Sequence, residues 1–283
     1  MNRQAAWEKA MAKENSDLPE KAKARLENRD ISPILNGWDY EAGAINVRKI
    51  PGLDGKEKLQ MRLDLGVLQM EMTGRPDGQR PHGFESYLDF IEEQLTNYKN
   101  DRGGEEGFVL RDEQCMELRE EALMYYHRYL SLFILGDFPA VVRDTARNLR
   151  VLDLCGEFGA DEHDRLILEQ YRPYIIMMNT RATASLEMKD EKFQKALNTV
   201  TDGLDRIRDF FQRFGQQEAF DKANEVKILK RFARDIRRKL PVDPMEKLQN
   251  KLTRAIKRED YEEAARLRDE IQTRKLARES SGA

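Results

Sequence analysis

The chain has 283 residues, 40% of them hydrophobic, which is enough for one or two domains with a real core. Charged residues make up 36%, well above the roughly 25% of an average globular domain, and this excess fits extensive exposed helical surface. Lys and Arg total 49 against 52 Asp and Glu, a formal net charge of −3, which excludes a global basic attraction for nucleic acid and leaves only local patches.

Residues 1 to about 44 read as a polar N-terminal arm. A short helix is expected over Ala5–Lys13, interrupted at Asn15-Ser16-Asp17 and Pro19, with Trp38 and Tyr40 pinning the arm to the body. The stretch from Met1 through Asn15 is charged and has no apolar h-region, so a secretory signal is not expected. No apolar run approaches the roughly 18 residues of a membrane span, and a soluble cytoplasmic protein is the expectation.

Residues 45–83 form a small β element and a loop. Ile45, Val47 and Ile50 suggest a strand, and Pro51-Gly52-Leu53-Asp54-Gly55 a turn. Leu59, Met61, Leu63 and Leu65 alternate with polar residues as a half-buried strand does. The phase shifts after Gly66 to Leu68, Met70 and Met72, marking a bulge or the start of a short helix. Leu59, Leu63, Val67 and Met70 also fit a helix over 57–72, but a β-hairpin is favoured. Gly74 to Gly83, with two prolines and three glycines, is a defined loop.

Residues 84–240 read as a helical body. Helices are expected over Phe84–Tyr98, Arg111–Leu135 (with Met116, Leu123, Tyr126 and Leu130 among its apolar positions), Asp137 to about Cys155, Glu191–Phe214 and Glu218–Leu240. Gly136 suits a helix C-cap and Asp137 the next N-cap. Gly156 and Gly159 are stops. Leu168, Tyr171, Ile175, Met178 and Ala182 continue the helical pattern with Pro173 as a kink, and Lys189-Asp190 and Gly215 are breaks.

An internal echo links three sites. Asp137-Phe138 precedes Val141, Phe193 precedes Ala196, and Asp260-Tyr261 precedes Ala264. Each puts an aromatic in the first turn of the second helix of a pair, with a small residue one turn later to let the helices approach. Leu135-Gly136-Asp137-Phe138 resembles the inter-helix turn of tetratricopeptide repeats, although the spacings exceed their 34-residue period. The fold expected is therefore mainly α: an antiparallel helical-hairpin, TPR-like body with a small N-terminal β-hairpin, followed by a helical hairpin over 245–276.

That last hairpin is sharply signalled. Pro241 ends the preceding helix, and Asp243-Pro244-Met245-Glu246 is a complete helix start. Leu248, Leu252, Ala255 and Ile256 form one stripe, and Tyr261, Ala264, Leu267 and Ile271 another. Asp260 and Glu263 make a second capping box. Units below about 40 residues seldom fold without help, so the hairpin is expected to dock on its own body or on another chain. The run from Ala255 to Ile271, AIKREDYEEAARLRDEI, resembles the UVR motif shared by the excision-repair subunits UvrB and UvrC and by several regulatory proteins. The resemblance implies protein–protein contact, including contact with a second UVR hairpin, through Tyr261, Ala264, Ala265, Leu267, Arg268 and Ile271. It covers about a tenth of the chain. The GxxxxGK[ST] loop of the UvrB motor, a nuclease signature of the UvrC kind and paired CxxC motifs are all missing from this sequence.

Other constellations are weaker. Lys227, Lys230, Arg231, Arg234, Arg237 and Arg238 recur on one helix face opposite Val226, Leu229, Phe232, Ile236 and Leu240, a candidate anion surface. Arg75, Arg80 and His82 of the Gly/Pro loop are candidates to grip an anion. An enzyme centred on 64–89 needs a cleft joining Asp64, Asp77, His82 and Glu85, and Glu71 beside them raises a metal. Asp161-Glu162-His163-Asp164 looks metal-like but reads as helix capping. His127 lacks a Glu-x-x-His partner because Met124 occupies the position. Cys115 and Cys155 form no CxxC pair, and Cys155 has no evident base, so no metal or cofactor is expected. The functional expectation is a non-enzymatic adaptor or regulator in a bacterial repair or stress system, with nucleic-acid binding through the basic helix as the alternative.

Overall fold

The computed structural model describes residues 30–240 and 244–281. The helix expected over Ala5–Lys13, its break, and the signals at Pro241 and Asp243 lie outside the described residues. The chain divides into two compact units between Tyr171 and Arg172, a boundary that falls inside the stretch read from sequence as one helical body.

In the first unit a short helix, α1 (Ser32–Leu35), leads into an antiparallel sheet of order β1-β2-β3, formed by Val47–Pro51, Glu57–Arg62 and Val67–Glu71. Gly55, at φ 75°, closes the first turn. Gly66 is neither a bulge nor a helix start. It sits in a tight second turn in which Leu63 N–H donates to Gly66 O, and β2 pairs with β3 from Arg62↔Val67 onward. The expected hairpin is thus three strands, and Leu65 is 88% exposed at the turn. Leu59, Met61 and Met70 are buried on one face. On the other, Arg48, Gln60 and Gln69 are cross-strand neighbours. Arg48 Nε donates to Gln60 Oε1 at 2.8 Å, and Gln60 Nε2 to Gln69 Oε1 at 2.9 Å. Arg48 also stacks over Trp38 at 3.9 Å and donates to Ile34 O, so Trp38 does pin the lead-in, while Tyr40 is exposed.

Helices α2 (Tyr87–Arg102), α3 (Asp112–Ile134) and α4 (Phe138–Phe158) follow, then the short α5 (Glu162–Leu166). The buried stripe of α3 is Cys115, Leu118, Ala122, Tyr125, Tyr129 and Leu132, while Met116 and Leu123 are exposed. The side chains therefore face the core one position away from several of the apolar residues read in sequence. Gly156 lies within α4, which ends instead at Gly159.

The second unit holds α6 (Arg172–Lys189), α7 (Phe193–Arg213) and α8 (Asn224–Arg237), packed on one another, and the hairpin α9 (Pro244–Lys257) and α10 (Tyr261–Ser281). Pro173 stands in the first turn of α6, where its missing N–H has no helical acceptor to lose, so it starts a helix and does not kink one. The segment expected as one helix from Glu218 is a 3₁₀ turn over Gln217–Lys222 followed by α8. At Gly203 of α7 an added Cβ would lie 2.3 Å from Thr180 Oγ1 of α6, so only glycine permits this approach.

The echo read in sequence is a recurring turn. Gly136, Glu191 and Glu259 all adopt positive φ, at 73°, 60° and 59°. The next residue's N–H reaches back to the preceding helix: Asp137 to Leu132 O, Lys192 to Glu187 O, and Asp260 to Ala255 O. This is the left-handed cap that satisfies the last carbonyls of a helix. Phe138, Phe193 and Tyr261 then each open the second helix. The Asp137 carboxylate makes no capping bond; it lies 3.4 Å from Lys49 Nζ. Two of the three left-handed sites carry Glu, for which that conformation is unfavourable. Glu191→Gly should therefore stabilise the protein by about 0.5–1 kcal/mol and Gly136→Ala destabilise it by about 1 kcal/mol, read as opposite shifts of the thermal unfolding midpoint.

Candidate functional site

The C-terminal hairpin has its own core. Leu248, Ala255, Ala264, Leu267 and Ile271 are buried together, with Leu252 partly covered against them. Asp260 Oδ1 accepts the Glu263 N–H at 3.1 Å and caps α10, but Glu263 pairs with Arg266 and does not complete the reciprocal box. Ala264 is buried in this core, where a small side chain was expected.

This packing splits the six contact residues inferred from resemblance. Ala264, Leu267 and Ile271 are committed to the hairpin's interior, 8%, 3% and 8% exposed, and so they build the module. Tyr261, Ala265 and Arg268 are exposed at successive turns of α10 and form a continuous stripe. Ile256, expected in the inner stripe of α9, is instead 53% exposed at the same end as Tyr261, which is 69% exposed. An exposed aromatic with an exposed isoleucine next to a turn is an apolar tip, and Arg268 adds a charge along the stripe.

The basic residues of α8 are where the sequence places them. Val226, Leu229, Ala233 and Ile236 face inward, while Lys227, Lys230, Arg231, Arg234, Arg237 and Arg238 are exposed. Lys230 is engaged by Asp221 at 2.6 Å, and Arg238 lies 3.5 Å from Asp235. Phe232 and Leu240 are only partly buried.

The candidate anion-binding residues of the Gly74–Gly83 loop have separate surroundings. Arg75 is mostly buried, with Nε 3.2 Å from Asp77 and 3.7 Å from Glu121, so it serves the interior and not a solvent anion. Arg80 is exposed. His82, at φ 53°, stacks on Phe90 with ring centroids 4.0 Å apart. Asp64 accepts from Leu65 N–H, and Asp77 from Gln79 N–H. Glu71 pairs with Lys58 at 2.5 Å. Among the described residues, Asp64, Asp77, His82 and Glu85 do not converge as metal ligands.

What holds the loop is a buried charge network that sequence reasoning missed. Arg128 of α3, 1% exposed, donates from Nε and Nη2 to Asp144 of α4 at 2.7 and 2.9 Å. Its Nη1 donates to Glu71 O at 3.1 Å and Gly74 O at 2.7 Å. Arg143 adds a bond to Met72 O. Glu121, also 1% exposed, accepts the N–H groups of Tyr87 and Leu88 at the start of α2 and contacts Arg147. Burial pushes the Arg147 guanidinium down to about 9, and its ring contact with Tyr125, at 4.0 Å, covers one face. Asn148 Nδ2 closes the network on Ala122 O. The available signal was Glu121, which lies beside Ala122 and one turn before Tyr125 on the core side of α3.

Arg128→Met should destabilise the protein by about 3–5 kcal/mol, since it strands a buried carboxylate. Arg128→Met combined with Asp144→Leu should cost much less than the two single changes together, and urea denaturation of the four proteins of this cycle measures the difference.

Among the described residues no helix is long and apolar enough to cross a membrane. No curated protein and no solved structure matches the chain. Residues 244–273 match the family model of the UvrB/uvrC motif, so the α9–α10 hairpin is a UVR-type module carried on a larger helical chain.

Proposed function

We propose that the protein is a non-enzymatic adaptor or regulator that binds another protein through its UVR-type hairpin, with a second UVR hairpin as the favoured partner. By resemblance, a cytoplasmic bacterial repair or stress system is its setting. The observation that carries this reading is the exposed stripe of Tyr261, Ala265 and Arg268, with Ile256 beside it, on a module whose core among the described residues is five side chains. A core that small gains stability from a partner. Exposed aromatic and Arg side chains are the types that dominate binding energy at interfaces.

Affinity capture from source-cell lysate tests the reading. Intact protein should retain partners that a chain truncated after Leu240 loses. Tyr261→Glu with Arg268→Glu should lose the same partners while helical content is retained. Ala264→Glu with Ile271→Glu should lose them by unfolding the hairpin. An identical partner set from all four proteins would overturn the proposal.

A second reading, nucleic-acid binding through α8, is favoured by Lys227, Arg231, Arg234 and Arg237, which are exposed and have no acidic partner among the described residues. Four phosphate contacts would weaken binding on the order of a hundredfold between 50 and 200 mM salt. Fluorescence anisotropy with labelled DNA and RNA should show this slope, reduced in Arg231→Ala with Arg234→Ala. A salt-independent signal, or none at 50 mM, would remove the reading.

A further inference from the structure

We propose that Asp112, Asp161 and Asp164 form a site for one hard divalent cation, Ca²⁺ or Mg²⁺, on the first unit. The carboxylates come from two separate parts of the chain: Asp112 is the first residue of α3, and Asp161 and Asp164 lie at the start of α5. One oxygen from each lies within 4.8 Å of the others. Three like charges at that separation repel, and a cation among them reverses the sign of the interaction.

Helix starts explain part of the arrangement. Asp161 Oδ1 accepts the Asp164 N–H at 2.8 Å, the capping role expected from sequence, and Asp112 stands at the positive end of α3. They do not explain Asp164. Its side chain is 4% exposed, and Oδ1 is held by the Arg119 guanidinium. Oδ2 is buried and has no hydrogen-bond partner among the described residues. A buried carboxylate oxygen without a donor is unfavourable, and a coordinated cation satisfies it. Asp112 and Asp161 are exposed and give an ion access.

The charge balance fits a divalent ion. Arg119 neutralises one of the three carboxylates, leaving two negative charges. The ligand set is oxygen only. Cys115, one turn beyond Asp112, is buried and falls outside the group. Such a set selects Ca²⁺ or Mg²⁺ over zinc, which prefers nitrogen and sulfur. A bound ion would tie the start of α3 to α5.

Equilibrium dialysis of the chelator-treated full-length protein against CaCl₂, and separately MgCl₂, tests this beside Asp112→Asn, Asp161→Asn and the control Glu113→Gln. The expected result is saturable uptake of about one ion per chain, weakened at least about tenfold in each Asn variant and unchanged in the control. The ion should raise the thermal midpoint of the wild type and control but not of the variants. Tighter Ca²⁺ uptake assigns the roomier coordination, and tighter Mg²⁺ uptake the octahedral one; either supports the site. Circular dichroism identifies a misfolded variant, in which case the other Asn variant is decisive. No saturable uptake of either ion up to about 5 mM, weaker than any ordinary calcium module, overturns the proposal. So does uptake that folded Asn variants keep at wild-type strength.

Discussion

Arg128 sits inside the first unit with its charge fully enclosed, and the geometry around it follows from that condition. A guanidinium removed from water must be neutralised and its N–H groups accepted, or folding does not tolerate it. Asp144 supplies the charge and two acceptors. The remaining acceptors are backbone carbonyls at Glu71 and Gly74, where β3 passes into the Gly/Pro loop. One side chain thus fixes α3 to α4 and both to the end of the sheet. Glu121 does the complementary work two turns earlier on the same face of α3, accepting the first N–H groups of α2. The glycines and prolines shape the loop, but buried ions position it. That is why Arg75, which reads as an anion-binding candidate in a surface loop, belongs to the interior.

The second organising device is local. The same left-handed cap joins α3 to α4, α6 to α7 and α9 to α10, and an aromatic follows it each time. In the first two pairs Phe138 and Phe193 are partly buried, whereas Tyr261 in the third is left exposed. A position that elsewhere closes a helical corner here faces solvent, at the end of a module that matches the UvrB/uvrC motif. Tyr261 thereby joins the exposed stripe with Ala265 and Arg268 on which the proposed function rests.

The hairpin also shows why a motif identifies a module more readily than a surface. Some of its pattern positions make two helices fit, namely Ala264, Leu267 and Ile271. Residues free to meet a partner, Tyr261, Ala265 and Arg268, interleave with them at helical spacing. A pattern match weights both kinds alike, and only burial separates them.

The sequence by itself determined the helical class, the β element near the N-terminus, the loop from Gly74 to Gly83, the three helix-pair turns and the C-terminal hairpin. These rest on near-neighbour physics: apolar periodicity, glycine at positive φ, proline in a first turn, and small residues where helices approach. It did not determine the third strand, because Gly66 closing a turn and Gly66 opening a helix look alike until Arg62 and Val67 are seen to pair. It did not reveal that Arg128 meets Asp144, that Glu121 caps α2, or that Asp112 reaches Asp161 and Asp164. Those contacts join charged residues that are far apart in the chain and individually resemble solvated helix surface. Only tertiary structure decides which charges lose their water, because burial depends on what packs over a residue and not on what precedes or follows it.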